Sequence, residues 1–196
     1  MSDTGVAAAQ VAFSPNGRIL AVTEKATQTI DTFVLRPNGR PRAVHAQHSE
    51  GNTPFGFEFG PDGRLYVSEA PTSSASSYDV AADGTIDPIT SVLSNGQGAA
   101  CWLVVSADGD FAYTANAATA NVSRYGIAAN GSLSLAAGIA GTTAPGAVDL
   151  DLTDGDGFLY VLSSSSGAIT GFSVNASDGS LTGVGGVSGL QPDSPA

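Results

Sequence analysis

Four short apolar runs recur along the chain at nearly equal intervals: Ile19-Leu20-Ala21-Val22-Thr23-Glu24, Arg64-Leu65-Tyr66-Val67-Ser68-Glu69, Phe111-Ala112-Tyr113-Thr114-Ala115-Asn116 and Phe158-Leu159-Tyr160-Val161-Leu162-Ser163. Their last residues are spaced by 45, 47 and 47. An Asn-Gly or Asp-Gly pair precedes each run: Asn16-Gly17, Asp62-Gly63, Asp108-Gly109 and Asp154-Gly155. A second such pair follows about 22 residues later, at Asn38-Gly39, Asp83-Gly84, Asn130-Gly131 and Asp178-Gly179. These dipeptides tolerate the positive φ that tight hairpin turns require.

Each unit therefore reads as four strands. The first is Val11–Ser14, Gly56–Phe59, Leu103–Ser106 or Asp149–Leu152, and the second is the recurring apolar run. A polar loop such as Lys25-Ala26-Thr27-Gln28 leads to an alternating third strand, for example Thr29–Val34 or Val122–Ile127. A weaker fourth follows, as at Ile86–Val92 or Leu181–Val187. No 11-residue window shows a helical period free of Gly or Pro. A repeat near 47 residues with four strands per unit predicts an all-β fold, a β-propeller of four four-stranded antiparallel blades. The expected blades cover 8–52, 53–98, 99–145 and 146–190, in one domain spanning residues 1–196. A helical solenoid is excluded, and a jelly roll or immunoglobulin-like sandwich does not repeat at this interval. One such sheet cannot bury both faces alone, so each must stack on the next, and strands apolar on both sides are expected.

Charge narrows the function. The chain has 18 acidic and 7 basic residues, with Lys25 its one lysine, and a net charge of −11. A nucleic-acid surface needs clustered Lys/Arg, which the sequence does not show, so no nucleic-acid partner is expected. The same shortage argues against attachment to anionic lipid, and no apolar run reaches the ~18 residues of a membrane span. Met1–Gly5 lacks the order of a secretory signal, which makes the cytoplasm the default expectation. Cys101, alone, excludes an internal disulfide and an all-cysteine zinc site. No metal site and no cofactor are expected: His45 and His48 lack an identifiable third ligand, and Asp154-Gly155-Asp156-Gly157 lacks the further ligands of a calcium loop.

The strand ends Ala21–Glu24, Tyr66–Glu69 and Tyr113–Asn116, with the turn Ser14-Pro15-Asn16-Gly17-Arg18, resemble the seven-bladed β-propeller lactonase family. That family includes propeller-type 6-phosphogluconolactonases and carboxymuconate-lactonising enzymes. The resemblance runs over about residues 6–190; Thr53-Pro54-Phe55-Gly56-Phe57 and Cys101-Trp102 look like its uncharacterised bacterial branch. It implies hydrolysis or cyclisation of a small sugar or carboxylate lactone. Two departures stand beside it. Four blades are present where seven would need roughly 330 residues, as though the chain were the C-terminal part of a member. The Pro-Arg-His-type entry of characterised lactonases is replaced here by Asn52-Thr53-Pro54-Phe55-Gly56, so no catalytic role transfers to that position. A non-enzymatic ligand- or protein-binding scaffold and a truncated, catalytically silent remnant are the alternatives.

In a propeller the glycine turns share one rim, and the loops between strands two and three converge on the channel at the other. Two sets of equivalent positions arise there: Glu24, Glu69, Asn116 and Ser163 at the ends of strand two, and Gln10, Gly56, Trp102 and Asp149 at the entries to strand one. Glu24, Glu69 and Asp149 are the candidate catalytic carboxylates, because lactone hydrolysis needs a base for water and a donor for the carbonyl oxygen. Asn116, Trp102 and Phe55 are the candidate substrate contacts. For Glu24 and Glu69 a loop-capping role is the weightier reading. Cys101 reads as a small core residue, and Arg124 as a blade-face or edge residue. A four-blade arc also leaves an unpaired apolar face at each end. Closure into a tight ring, pairing of two chains into eight blades, and an open fragment are the three solutions; an open or self-associating arc, with a homodimer through the open faces, is the expectation.

Overall fold

In the computed structural model, which describes residues 4–191, the strands form four separate antiparallel sheets, each with its strands in sequence order. Blade 1 comprises β1 (Ala8–Phe13), β2 (Ile19–Glu24), β3 (Thr29–Leu35) and β4 (Pro41–His48). Blade 2 comprises β5 (Pro54–Phe59), β6 (Leu65–Glu69), β7 (Ser74–Val80) and β8 (Ile86–Ser94). Blade 3 comprises β9 (Ala100–Val105), β10 (Phe111–Asn116), β11 (Asn121–Ile127) and β12 (Leu133–Thr142). Blade 4 comprises β13 (Ala147–Leu152), β14 (Phe158–Ser163), β15 (Ala168–Val174) and β16 (Leu181–Ser188), with a single 3-10 turn at Ser164–Ser166. The repeat in the sequence is thus a repeat of sheets. The first strands begin two to three residues earlier than the alternation suggested, and His48 is the last residue of β4.

Apolar side chains alternate across the sheets and build one core at each interface between successive blades. Ile19, Ala21 and Ile30 meet Phe57, Phe59, Leu65 and Val67 between blades 1 and 2. On the opposite face of blade 2, Tyr66 and Ala75 meet Leu103, Val105 and Tyr125. Tyr113, Ala115 and Val122 then meet Leu150, Leu159 and Val161 between blades 3 and 4. Leu65 and Tyr66 are neighbours in sequence and both are buried, one in each of two cores. The expectation of strands apolar on both faces follows from this stacking. The arc is not closed: Val11 and Phe13 of β1 are 61 % and 59 % exposed, as are Phe158 and Tyr160 of β14 at 43 % and 44 %.

A second repeat is written in the backbone. The residue before each first strand is left-handed: Ala7, Thr53, Ala99 and Gly146 have φ of 53°, 56°, 56° and 81°. So is the residue before each third strand, Gln28, Ser73, Ala120 and Gly167. A non-glycine residue there costs about 1–2 kcal/mol, and its recurrence in every blade marks it as part of the blade's geometry. Each left-handed step into a first strand is followed by an irregularity in the pairing of strands one and two.

Candidate functional site

The strand-two ends are fully buried. Glu69, Asn116 and Ser163 each anchor the segment that enters their own blade, and Glu24 holds the loop between β2 and β3. The Glu69 carboxylate accepts from Ser74 Oγ at 2.7 Å and from Ser49 Oγ at 3.3 Å, where Ser49 belongs to the linker out of blade 1. Burial pushes the Glu69 pKa up, against the opposing effect of these donors. Gly51 lies so close that a Cβ there would stand 2.4 Å from Glu69 Cδ. Asn116 donates to Asn121 Oδ1 at 2.7 Å and Ser123 Oγ at 2.9 Å, and accepts from Asn95 of the linker at 2.9 Å. Ser163 donates to the Ala144 carbonyl at 2.8 Å, and Glu24 accepts from Thr27 Oγ1 at 2.7 Å. Glu24, Glu69 and Asn116 are therefore held inside polar knots beneath the loops, and none of them lines the channel cavity.

The channel is built by strand one of all four blades. Val11 pairs with Val22, Phe57 with Val67, Leu103 with Thr114 and Leu150 with Val161, which puts Gln10, Gly56, Trp102 and Asp149 in register. Two residues further along the same strand face come Ala12, Glu58, Val104 and Asp151. All of these positions except Gly56 line a cavity of about 390 Å³ that extends to Phe13 and Pro15 at the glycine-turn rim. Trp102 and Asp149, both candidates from the sequence, line it together. Phe55 packs edge-on against Trp102 at 6.0 Å, and Lys25 Nζ lies 4.8 Å from the Phe55 ring centre, so two rings and the chain's one lysine adjoin the Trp102 end. Cys101 is half-buried beside them, and burial raises its thiol pKa.

Glu58 is the site residue that the sequence reading passed over. Its Oε2 accepts from the Val105 N–H at 2.6 Å, linking blade 2 to blade 3, and Oε1 makes no hydrogen bond among the described residues. Burial pushes its pKa up to about 7; the Val105 bond opposes this, while Asp151 and Asp156 add to it. Partial withdrawal from water also raises Asp149, an otherwise exposed residue, whose Oδ1 accepts the Leu150 N–H at 2.9 Å. The signal for Glu58 was available: it stands two residues beyond Gly56, on the same strand face as a position already singled out. A carboxyl near 7 exchanges a proton readily at neutral pH, and Trp102 supplies an apolar wall for a small cyclic ligand. Among the described residues, no Lys, Arg or His lines the cavity and no cluster of three metal-ligating side chains occurs.

Scattered in sequence, Arg18, Arg36, Arg42 and Arg64 line a cleft of about 530 Å³ between blades 1 and 2 at the glycine-turn rim. Arg64 is neutralised there by Asp62 at 2.7 Å and Asp79 at 2.8 Å. Folding brings together basic groups that the linear chain keeps apart. Arg124 bridges blades, donating to the Asp178 carbonyl. No helix among the described residues is long and apolar enough to cross a membrane.

Known structures share this fold. A protein from Lactobacillus plantarum superposes with a TM-score of 0.81 at 17 % identity, over 94 % of this chain and 56 % of its own. A candidate 6-phosphogluconolactonase from Bacteroides fragilis gives 0.80 at 21 % identity, with the same coverage of 94 % and 56 %. The periplasmic gluconolactonase of Pseudomonas aeruginosa gives 0.76 at 18 % identity, over 95 % and 55 %. The chain thus spans a little over half the length of these structures, and at such identities the likeness is one of fold. No curated protein matches the sequence significantly. Residues 63–149 match the family model for the seven-bladed β-propeller lactonases. The chain is therefore a partial, four-bladed, lactonase-like β-propeller, and its residues 63–149 carry the sequence pattern of the seven-bladed lactonase family.

Proposed function

We propose that the channel receives a small sugar or carboxylate lactone and that Glu58 is its proton-transferring group. The observation that carries this reading is a partly buried carboxyl, raised to about 7, on the wall of a 390 Å³ cavity beside Trp102. The ionised Glu58 takes a proton from water as the water oxygen bonds to the lactone carbonyl carbon. The ring C–O bond then breaks, and the proton passes to the departing alkoxide, leaving a hydroxy acid. Trp102, braced edge-on by Phe55, holds the apolar face of the ring. Gln10, clamped on the Phe57 backbone, fixes the opposite wall.

A second reading, a non-enzymatic sugar-binding channel, is favoured by one feature. The cavity lining offers carboxylates but no cationic donor for a developing oxyanion. Assays of 6-phosphogluconolactone and simple γ-lactones with the parent chain and Glu58→Gln separate the two. Turnover that falls at least tenfold in Glu58→Gln but persists in Asn116→Ser supports the catalytic reading. Saturable binding without turnover supports the second. Turnover indifferent to Glu58→Gln overturns the assignment.

A further inference from the structure

The blade interfaces repeat, and the two free faces of the arc are the two halves of the same interface. Phe111 and Tyr113 of blade 3 stand where Phe158 and Tyr160 stand in blade 4, one repeat of 47 residues later. Tyr113 is fully buried against blade 4, and its hydroxyl donates to the Gly179 carbonyl at 2.7 Å. A Cβ on Gly179 would meet Phe111 at 2.7 Å and the Tyr113 hydroxyl at 2.9 Å. The equivalent turn glycines of blades 2 and 3 also press on the preceding blade: a Cβ on Gly84 would be 3.0 Å from Val34, and one on Gly131 would be 2.4 Å from Arg64. Gly39, their counterpart in blade 1, has nothing within 4 Å of that point, while Tyr160 is 44 % exposed.

The inner strands show the same complementarity. Gln10 receives the Phe57 N–H at 2.7 Å and donates to the Phe57 carbonyl at 2.9 Å; Glu58 receives the Val105 N–H at 2.6 Å. In both cases an acceptor from strand one of one blade takes a backbone N–H from strand one of the next. Blade 4 carries Asp149 at the Gln10 position and Asp151 at the Glu58 position, both exposed. By register, the matching backbone sites in blade 1 belong to Val11 and Phe13.

From these repeats we infer that the open face of blade 4 docks on blade 1 of a second copy of this chain, head to tail, so that two copies close a ring of eight blades. Tyr160 then donates to the partner copy's Gly39 turn, as Tyr113 does to Gly179, and Asp151 accepts from strand one of the partner copy. The contact is heterologous, and two such contacts close a ring with twofold symmetry. It covers Val11, Phe13, Phe158, Tyr160 and Leu162, which otherwise form apolar patches on a protein with net charge −11.

Light scattering coupled to size exclusion tests this on the full chain. The expected mass is about 39 kDa, twice the 19.5 kDa of one chain. Phe13→Glu and Tyr160→Glu each place a charge on one half of the interface, and each alone is expected near 19.5 kDa with an unchanged far-ultraviolet spectrum. Mixing the two variants restores a dimer, because the intact blade 4 of one meets the intact blade 1 of the other. A monomeric parent chain, a species larger than a dimer, or a mixture that stays monomeric overturns the inference.

Discussion

The Tyr113 hydroxyl donates to the Gly179 carbonyl at 2.7 Å and so joins strand two of blade 3 to the second glycine turn of blade 4. The bond is buried, and burial of the phenol pushes its pKa up to about 12, which keeps it a donor at any physiological pH. Tyr113→Phe is expected to cost about 1 kcal/mol and Tyr113→Ala about 3–5 kcal/mol. Urea denaturation checks both. Equal midpoints for Tyr113→Phe and the parent would show that the bond contributes nothing.

The Glu69 knot gives a second expectation. Replacing Glu69 with Ala strips an acceptor from Ser49 and Ser74 and leaves a cavity, a loss of about 2–4 kcal/mol. Gly51→Ala is expected to be destabilising as well, since its methyl would press on Glu69 Cδ at 2.4 Å. Thermal melting of the two variants measures this. If both melt with the parent, the knot does not anchor the linker.

Backbone strain yields a stabilising change. Ala99 has φ of 56° where the equivalent residue of blade 4 is Gly146. Ala99→Gly relieves a left-handed alanine and is expected to add up to about 1 kcal/mol. The same denaturation experiment reads the sign, and a loss of stability would contradict the assigned geometry.

The fold was legible because turn chemistry and apolar alternation repeat together. Asn16-Gly17 and its counterparts mark the hairpins, and Leu65 beside Tyr66 already shows a strand buried on both sides. The site was legible only in part. Register placed Trp102 and Asp149 on the channel, because equivalent positions along a strand can be counted. Counting cannot say how deep a side chain lies, and Glu24 and Glu69 sit beneath their loops, not in the cavity. Glu58 escaped for a related reason. Its raised pKa comes first from burial in the folded channel wall, with additions from Asp151 and Asp156, which are distant in sequence. The arginine cleft likewise joins Arg18 to Arg64 across two blades.

Glu58 also sets a pH dependence of stability. Its folded-state pKa, about 7, exceeds the ordinary value of 4.5, so the folded chain holds an extra proton between those values. Its effect on stability is therefore most favourable below pH 4.5 and declines as pH rises through 7. Glu58→Gln keeps an acceptor for Val105 and removes the charge. It is expected to match the parent at pH 4 and to exceed it at pH 8 by about 2 kcal/mol, after allowance for screening at a partly open site. Melting curves across this range check the difference, and a constant offset between the two proteins would contradict it.

The most direct test is a carbon-13 NMR titration of the side-chain carboxyls, with Glu58 assigned by its absence in Glu58→Gln. A desolvated channel wall predicts a Glu58 midpoint near 7. A midpoint near the ordinary 4.5 would show that water reaches this carboxyl freely and would remove the basis for its proposed role.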